Sequence, residues 1–341
     1  MVNHYPLLFT PVFKKMIWGS ESWDITCRRD EMGIIKNGHA AGITFADYIA
    51  KDPIGTLGTR IAANGDFPLL VKIIDARDTL SVQVHPDDGY GEESGKSEMW
   101  YIITPPTGGE LIIGLKPGIT AQILRDAYEN NSVEECLDRL RVKAGDIINI
   151  PAGLVHALTP GAKLAEVQQN SDTTYRIYDY NRLSPDGKPR QLHVGDALAV
   201  TDFTGKIPKT TVPGLDIKKD NCIYTYAIAN KHFAIIKYEL SGKIQETSNP
   251  AAFSIFTCVE GEVEIMGVQL QAEQSVFIPA ALGTYTIKPS KTCTLLKAYT
   301  PIIKTDFIKP LMDYGYSHKE ITSKCAIEID SLQNPPYNTP A

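Results

Sequence analysis

Gln83 and His85 stand one residue apart in the run LSVQVH at 80–85, where apolar and polar positions nearly alternate. Strand side chains repeat every two residues, so the amide and the imidazole point to one face. Glu98 precedes a second strand-like run, MWYII at 99–103, and His156 follows the turn after INIP at 148–151. Two imidazoles, a carboxylate and an amide mix nitrogen and oxygen donors as a catalytic divalent-metal site does. The set suits Zn²⁺, one ion per chain, with Mn²⁺, Co²⁺ and Fe²⁺ as alternatives. Each residue alone has a plainer reading: a structural or surface histidine, a solvated strand end, an amide bonded to a neighbouring strand. The case for a metal rests on the set.

Gly145, Pro151, Gly153 and His156 form G-x5-P-x-G-x2-H. The glycines and proline make a tight turn that presents the next strand's imidazole inward. Downstream lies EVQQNSDTTYRIYDYNR at 166–182. A regular strand there puts Tyr175, Ile177 and Asp179 on one face and Arg176, Tyr178 and Tyr180 on the other. Beside a metal, Arg176 offers directional donors to substrate oxygens or to a developing oxyanion. Lys96, two positions before Glu98, enters the same cavity on this reading. The alternatives are an exposed strand and an ordinary surface lysine.

These residues need strands to hold them, and the chain supplies short ones. Apolar or β-branched runs at 69–74, 80–85, 99–103, 110–114 and 146–150 are separated by Gly, Pro and Asp clusters that make turns. Such spacing predicts a small antiparallel sandwich or barrel. Three segments look helical. Thr44 caps FADYIAK before Pro53, residues 120–141 read as a helical hairpin inserted in the first barrel, and 196–202 reads as one short helix. Strand patterns resume at 224–229, 233–238, 253–258, 263–265, 275–278 and 284–287, with another strand expected within 291–303. Residues 203–216 read as the linker. The expected domains are therefore 1–205, carrying the metal, and 206–341, with no assignment beyond Asp306.

A near-repeat supports two units. GDIINIPAGLVHAL from Gly145 and EQSVFIPAALGTYTI from Glu273 align Pro151 with Pro279 and His156 with Thr284. The second copy has lost the imidazole, so one metal site is expected.

Composition narrows the function classes. The 341 residues are 43% hydrophobic and 22% charged, as in an ordinary globular protein of about two domains. Lys plus Arg is 34 and Asp plus Glu 40, a net charge of −6 that provides no general attraction for nucleic acid. The six cysteines form no CxxC or CxxxC pair, so neither a thiolate zinc knuckle nor a disulfide framework is expected. No apolar stretch approaches the ~18–20 residues needed to cross a bilayer. A cytoplasmic protein with no membrane association is the expectation. No nucleotide-binding G-x-x-x-x-G-K-[ST] run is present, which leaves ATP and NAD unnecessary.

The turn motif resembles the second motif of cupin barrels, with Gln83-x-His85 and Glu98 in the first motif's ligand places. Gln-x-His departs from the common His-x-His and weakens a three-His iron dioxygenase reading. More closely, SVQVHPDD at 81–88, GKSEMWYII at 95–103 and NIPAGLVHAL at 149–158 resemble the metal motifs of type I phosphomannose isomerases. SDTTYRIYDYNR at 171–182 is similar to that family's active-site strand, and PVFKKMIWG at 11–19 to its opening. The resemblance, nearest to the shorter bacterial branch, implies a mainly β fold of two cupin-like jelly-roll barrels. It implies His85, Glu98 and His156 as zinc ligands with Gln83 as a fourth, Arg176 as the catalytic arginine, and Lys96 and Arg182 as substrate or phosphate contacts. The implied reaction interconverts mannose 6-phosphate and fructose 6-phosphate through a cis-enediol. The base stays open among Lys96, Glu166 and Asp172. WGSESWDIT at 18–26 compresses a segment that is longer in the family, which leaves the metal intact but bears on pocket access. A non-catalytic phosphosugar-binding or regulatory cupin, or another metal-dependent cupin enzyme, is the alternative. No oligomeric partner is predicted.

Overall fold

The computed structural model of the chain describes residues 2–62, 66–91, 94–184, 186–208 and 210–328. Strand outweighs helix, 42% to 17%, which makes the class mainly β. The chain divides into two compact units, but not at residue 205. One unit gathers 1–12, 23–72 and 212–341, and the other 13–22 and 73–211. The correction has a packing cause. Leu7 exchanges two 2.9 Å backbone hydrogen bonds with Phe277, and Phe45 and Phe67 pack on Phe277 with ring centroids 5.0 and 6.0 Å away. The N-terminal segment therefore buries its aromatic side chains against strands from the far end of the sequence.

In the unit of 13–22 and 73–211, two antiparallel sheets face each other. One runs Tyr175–Tyr178, Val82–Val84, His156–Ala157, Glu110–Leu115, Leu137–Arg141. The other has Glu98–Thr104 between Ile147–Ile150 and Lys163–Gln169. Period-two alternation decides what lies between them. Leu111 and Ile113 of the first sheet pack with Trp100, Ile102, Ile148 and Ile150 of the second. Val82, Val84, Ile112 and Ile177 face the opposite way. Their cover comes from Leu124 and Ala127 of the helix Ala121–Glu129 and Ala197 and Leu198 of Val194–Val200.

The helical hairpin expected over 120–141 is only half present. Thr120 accepts a hydrogen bond from the Ile123 amide and starts the helix as a cap residue does. Ser132 makes no such bond. A single 3-10 turn, Val133–Cys136, leads into the strand Leu137–Arg141, because LDRLR alternates and pairs with Glu110–Leu115. In the other unit the two runs expected at 253–258 and 263–265 form one strand, Ser254–Ile265, bent by register shifts at Cys258/Glu260 and Gly261/Val263. The runs at 284–287 and from 291 likewise join as Thr284–Tyr299. Past it come helical turns at Ile303–Ile308, Lys309–Tyr314 and His318–Lys324. Residues beyond 328 lie outside the described set.

Candidate metal centre

His156 is the first residue of its short strand, directly opposite Gln83, and Gln83 is directly opposite Arg176 on the next strand. Opposed residues of an antiparallel pair share a face, so the three form one row across the sheet. His85 lies two positions from Gln83 on the same face. Glu98 projects from the second sheet, opposite Ile150 and Gln168.

The turn before His156 depends on Gly153. Its φ is +84°, its amide donates to the His85 carbonyl at 2.9 Å, and its own carbonyl accepts from the Asp202 amide at 2.9 Å. A Cβ there would sit 3.1 Å from the Val200 carbonyl oxygen. Gly153→Ala is therefore expected to lose about 1–3 kcal/mol through left-handed backbone strain, read as a lowered denaturant midpoint. Unchanged stability would show that the turn relaxes freely.

His85, Glu98 and His156 are all buried, at 1%, 1% and 0% exposure, where a lone carboxylate or imidazolium is costly. The Nδ1 of His85 faces the Thr173 carbonyl at 2.9 Å and that of His156 the Leu154 carbonyl at 2.8 Å. A carbonyl only accepts, so each Nδ1 carries the hydrogen and each Nε2 offers a lone pair. Burial pushes the His156 imidazole down to about 4, with Lys96 adding to the effect against the Leu154 bond and Glu166. It is neutral at physiological pH, as a ligand must be.

The spacing fits a metal. His85 Nε2 lies 3.4 Å from Glu98 Oε2, and His156 Nε2 lies 3.5 Å from Glu98 Oε1. Tetrahedral bonds of ~2.0–2.1 Å place neighbouring donors about 3.3 Å apart, close to these edges. No well-directed hydrogen bond reaches either oxygen of Glu98, although Lys96 Nζ lies 3.1 Å from Oε2. A buried carboxylate left this way, facing two imidazole lone pairs, has the donor set of a divalent cation. Gln83 Nε2 is 3.4 Å from His156 Nε2, and a half-turn of the amide puts its oxygen there instead.

The structure brings Lys96 to this cluster, buried, with Nζ also 3.1 Å from His85 Nε2. Arg176 flanks it, with its Nε buried and unbonded. Burial lowers the guanidinium's affinity for its proton, as does neighbouring Arg190, against the opposing Asp179 and Asp172. Regular alternation fails just past it. A bulge between Arg176 and Tyr178 sets Tyr178 opposite Val82, so Tyr178 joins Tyr175 and Ile177 over the helices rather than sharing Arg176's face. The strand ends there, and Tyr180 and Asn181 turn the chain with φ of +56° and +53°.

Arg182 is not among the metal-facing residues. Its guanidinium binds Asp179 Oδ1 at 2.5 Å and the Thr79 carbonyl at 2.5 Å, with Asp78 3.4 Å away. Arg190 shares Asp179, donating to both oxygens at 2.7 and 2.5 Å. Burial raises the Asp179 carboxyl, but the bonds from Arg190 and Arg182 outweigh it and hold the group below its usual value. Of the base candidates, Asp172 is exposed and Glu166 is buried, accepting from the Trp100 indole at 3.0 Å. Trp100 itself meets His156 edge to face at 5.3 Å. Trp100 and Arg190 were not singled out from sequence, although Trp100 lies two positions from Glu98 and so shares its face.

The chain is similar to known proteins along most of its length. Residues 9–123 match the family model for the catalytic domain of type I phosphomannose isomerase, and 222–299 that for the mannose-6-phosphate isomerase cupin domain. A probable mannose-6-phosphate isomerase, GmuF, of Bacillus subtilis (strain 168) is 33% identical over 310 residues, covering 83% of this chain and 96% of its own. The mannose-6-phosphate isomerase ManA of the same organism is 32% identical over 316 residues, covering 84% and 97%. The crystal structure of the Bacillus subtilis mannose 6-phosphate isomerase superposes with a TM-score of 0.75 at 28% identity, covering 86% of this chain and 99% of that one. Near-full-length identity at this level, over both matched domains, makes the chain a member of the type I phosphomannose isomerase family.

Proposed function

We propose that the protein interconverts D-mannose 6-phosphate and D-fructose 6-phosphate, using one divalent ion held by His85, Glu98 and His156 with Gln83 as a fourth donor. The observation that carries this reading is the buried pair of imidazole lone pairs set 3.4 and 3.5 Å from one carboxylate, beside Arg176. Relatives and a solved neighbour named for the same reaction support it. Zinc suits two nitrogens and one or two oxygens best. When bound, such an ion favours negative charge on two adjacent substrate oxygens.

The chain's own residues supply the rest. Moving a proton between C1 and C2 through a cis-enediol builds charge on O1 and O2. Arg176, fixed by its strand opposite Gln83, directs guanidinium donors at those oxygens without giving up a proton. Lys96 places its Nζ 3.1 Å from both His85 Nε2 and Glu98 Oε2, and takes the proton-handling role in this reading. Arg182 and Arg190 share Asp179, and Asp78 lies 3.4 Å from Arg182, so the charges of the cluster balance. In this reading the two guanidinium groups offer directional donors to the phosphate end of the sugar, whose binding orients the reacting carbons. The six cysteines, none in a disulfide, accord with a reducing cytoplasm. No helix among the described residues is long and apolar enough to cross a membrane.

Chelation tests the proposal. Conversion of mannose 6-phosphate is expected to vanish with verified metal removal and to return on adding zinc. Conversion that survives metal-free, or saturable sugar-phosphate binding without conversion in the fully loaded protein, contradicts it. Lys96→Arg keeps the charge and loses the amine. A fall in kcat of about 10²-fold or more with little change in KM is expected from a lost proton carrier. Near-normal kcat would reduce Lys96 to an electrostatic contact.

A further inference from the structure

The second copy of the near-repeat begins its strand with Thr284 where the first has His156. The sheet built on it has tyrosines in place of a metal cluster. Tyr224 and Tyr226 lie two apart on Cys222–Ala229. Tyr224 is opposite Tyr238, and Tyr226 is opposite Ile236, which is in turn opposite Lys297. Tyr299 is two positions beyond Lys297. Period two therefore turns these side chains to one face. With Glu246 from the strand Ile244–Thr247 they line a cavity of about 440 Å³.

The cavity's chemistry is specific. Lys297 Nζ lies 3.6 Å from Glu246 Oε2 and 5.7–5.8 Å from the ring centroids of Tyr238, Phe256 and Tyr299. Asp306, also on the lining, is neutralised by Arg60 at 2.5 Å. Burial pushes Tyr226 up to about 12, and Tyr238 and Tyr299 well above the usual phenol value. At neutral pH the walls are thus neutral phenols around a charge-balanced Lys–Glu pair. Bringing two charges into a sheet interior is costly unless they find further polar partners.

The volume falls within the ~300–1,000 Å³ usual for small-molecule sites, which combine aromatic walls with a few convergent polar groups. Lys297 already fills the aromatic cage, which excludes a second cation. Lys297 is already paired with Glu246, and the other lysine on the lining, Lys219, is exposed to solvent, where its charge is screened and draws an anion only weakly. An apolar ligand would strip water from Lys297 and Glu246 without replacing it. An uncharged ring bearing hydroxyls meets none of these objections. Its C–H faces would stack on the tyrosine rings, and its hydroxyls would donate to Glu246 and accept from Lys297.

We propose that this cavity is a second ligand site, sharing no residue with the metal cluster, for an uncharged sugar. The test is binding of D-mannose, D-glucose and D-mannose 6-phosphate to metal-loaded protein, followed by saturation-transfer NMR. Wild type, Glu246→Gln, Tyr224→Phe and Arg176→Ala are compared. Saturable binding of a free hexose, with Kd on the order of 1 mM, is expected in wild type and in Arg176→Ala. At least about tenfold weaker binding is expected in Glu246→Gln and Tyr224→Phe. Both of these variants should keep normal mannose 6-phosphate conversion, which confirms that they fold. The proposal fails if no free hexose saturates, if only the phosphorylated sugar binds, or if Glu246→Gln and Tyr224→Phe bind as wild type does. Free-hexose binding lost in Arg176→Ala alone would place the sugar at the metal cluster and also overturn it.

Discussion

His156→Ala is expected to lose bound metal and to lower turnover by about a thousandfold or more. The change removes one of two neutral imidazoles and leaves Glu98 buried with a single nitrogen lone pair before it. The remaining donors cannot compensate. Gln83 brings a weaker amide oxygen, and Lys96 brings a positive charge that repels a cation. Because His156 is fully buried, its loss also opens a cavity, so Glu98→Gln provides a near-isosteric second variant. It keeps the shape, removes the anionic donor and should also fall below one metal per chain. Metal content by elemental analysis and kcat on mannose 6-phosphate are the two readings. Full occupancy with normal turnover in either variant would remove that residue from the ligand set.

The grouping of the candidate ligands was legible because period two survives along the strands that carry them. Gln83 and His85 point inward while Val82 and Val84 point outward toward helices, as the alternation in LSVQVH requires. The same rule, followed along EMWY and AEVQ, places Trp100 and Glu166 on the inward face, and they do meet there. What alternation does not encode is a bulge. Tyr178 left Arg176's face because one register shift in four residues cannot be read from a repeat of two. Arg182 illustrates a second limit. Its partners Asp78 and Thr79 come from a distant stretch of chain, so residue type alone does not show the ion pairs that hold the guanidinium in place.

Fold boundaries went astray for a related reason. Residues 23–72 look continuous with the catalytic segment in sequence, but Phe45 and Phe67 meet partners more than 180 residues away, at Phe253 and Phe277. No local pattern announces such a contact. By contrast, the helix at His318–Lys324 had a readable start. Ser317 and Glu320 form a reciprocal cap, and Gly315 ends the preceding helix at φ +114°. Thr44 caps its helix as expected, the Asp47 amide donating to the threonine hydroxyl, but the Asp47 carboxylate accepts from that hydroxyl rather than from the Thr44 amide, so the box is not reciprocal. The expected linker also narrows, since Leu215 already begins a strand paired with Cys222–Ala229.

Arg176→Ala separates chemistry from site assembly. Arg176 shares a row with Gln83 and His156 but is neither buried with the ligands nor bonded to them, and its Nε has no partner of its own. Its strand is held independently of the guanidinium: the His193 amide donates to the Arg176 carbonyl at 2.8 Å. Losing the side chain should therefore leave metal content near wild type while kcat falls by about 10²–10³-fold, the usual effect of removing one donor to a developing oxyanion. Arg176→Lys restores charge without the planar fork and should recover only part of the loss. If the donors act on charge that builds between C1 and C2, kcat and kcat/KM fall together, because the contact strengthens only in the transition state. A rise in KM with kcat unchanged would instead make Arg176 a ground-state contact. Equal loss of metal and turnover would assign it to holding the sheet, and Lys96, beside the ligand atoms, would then be left to meet the enediol oxygens.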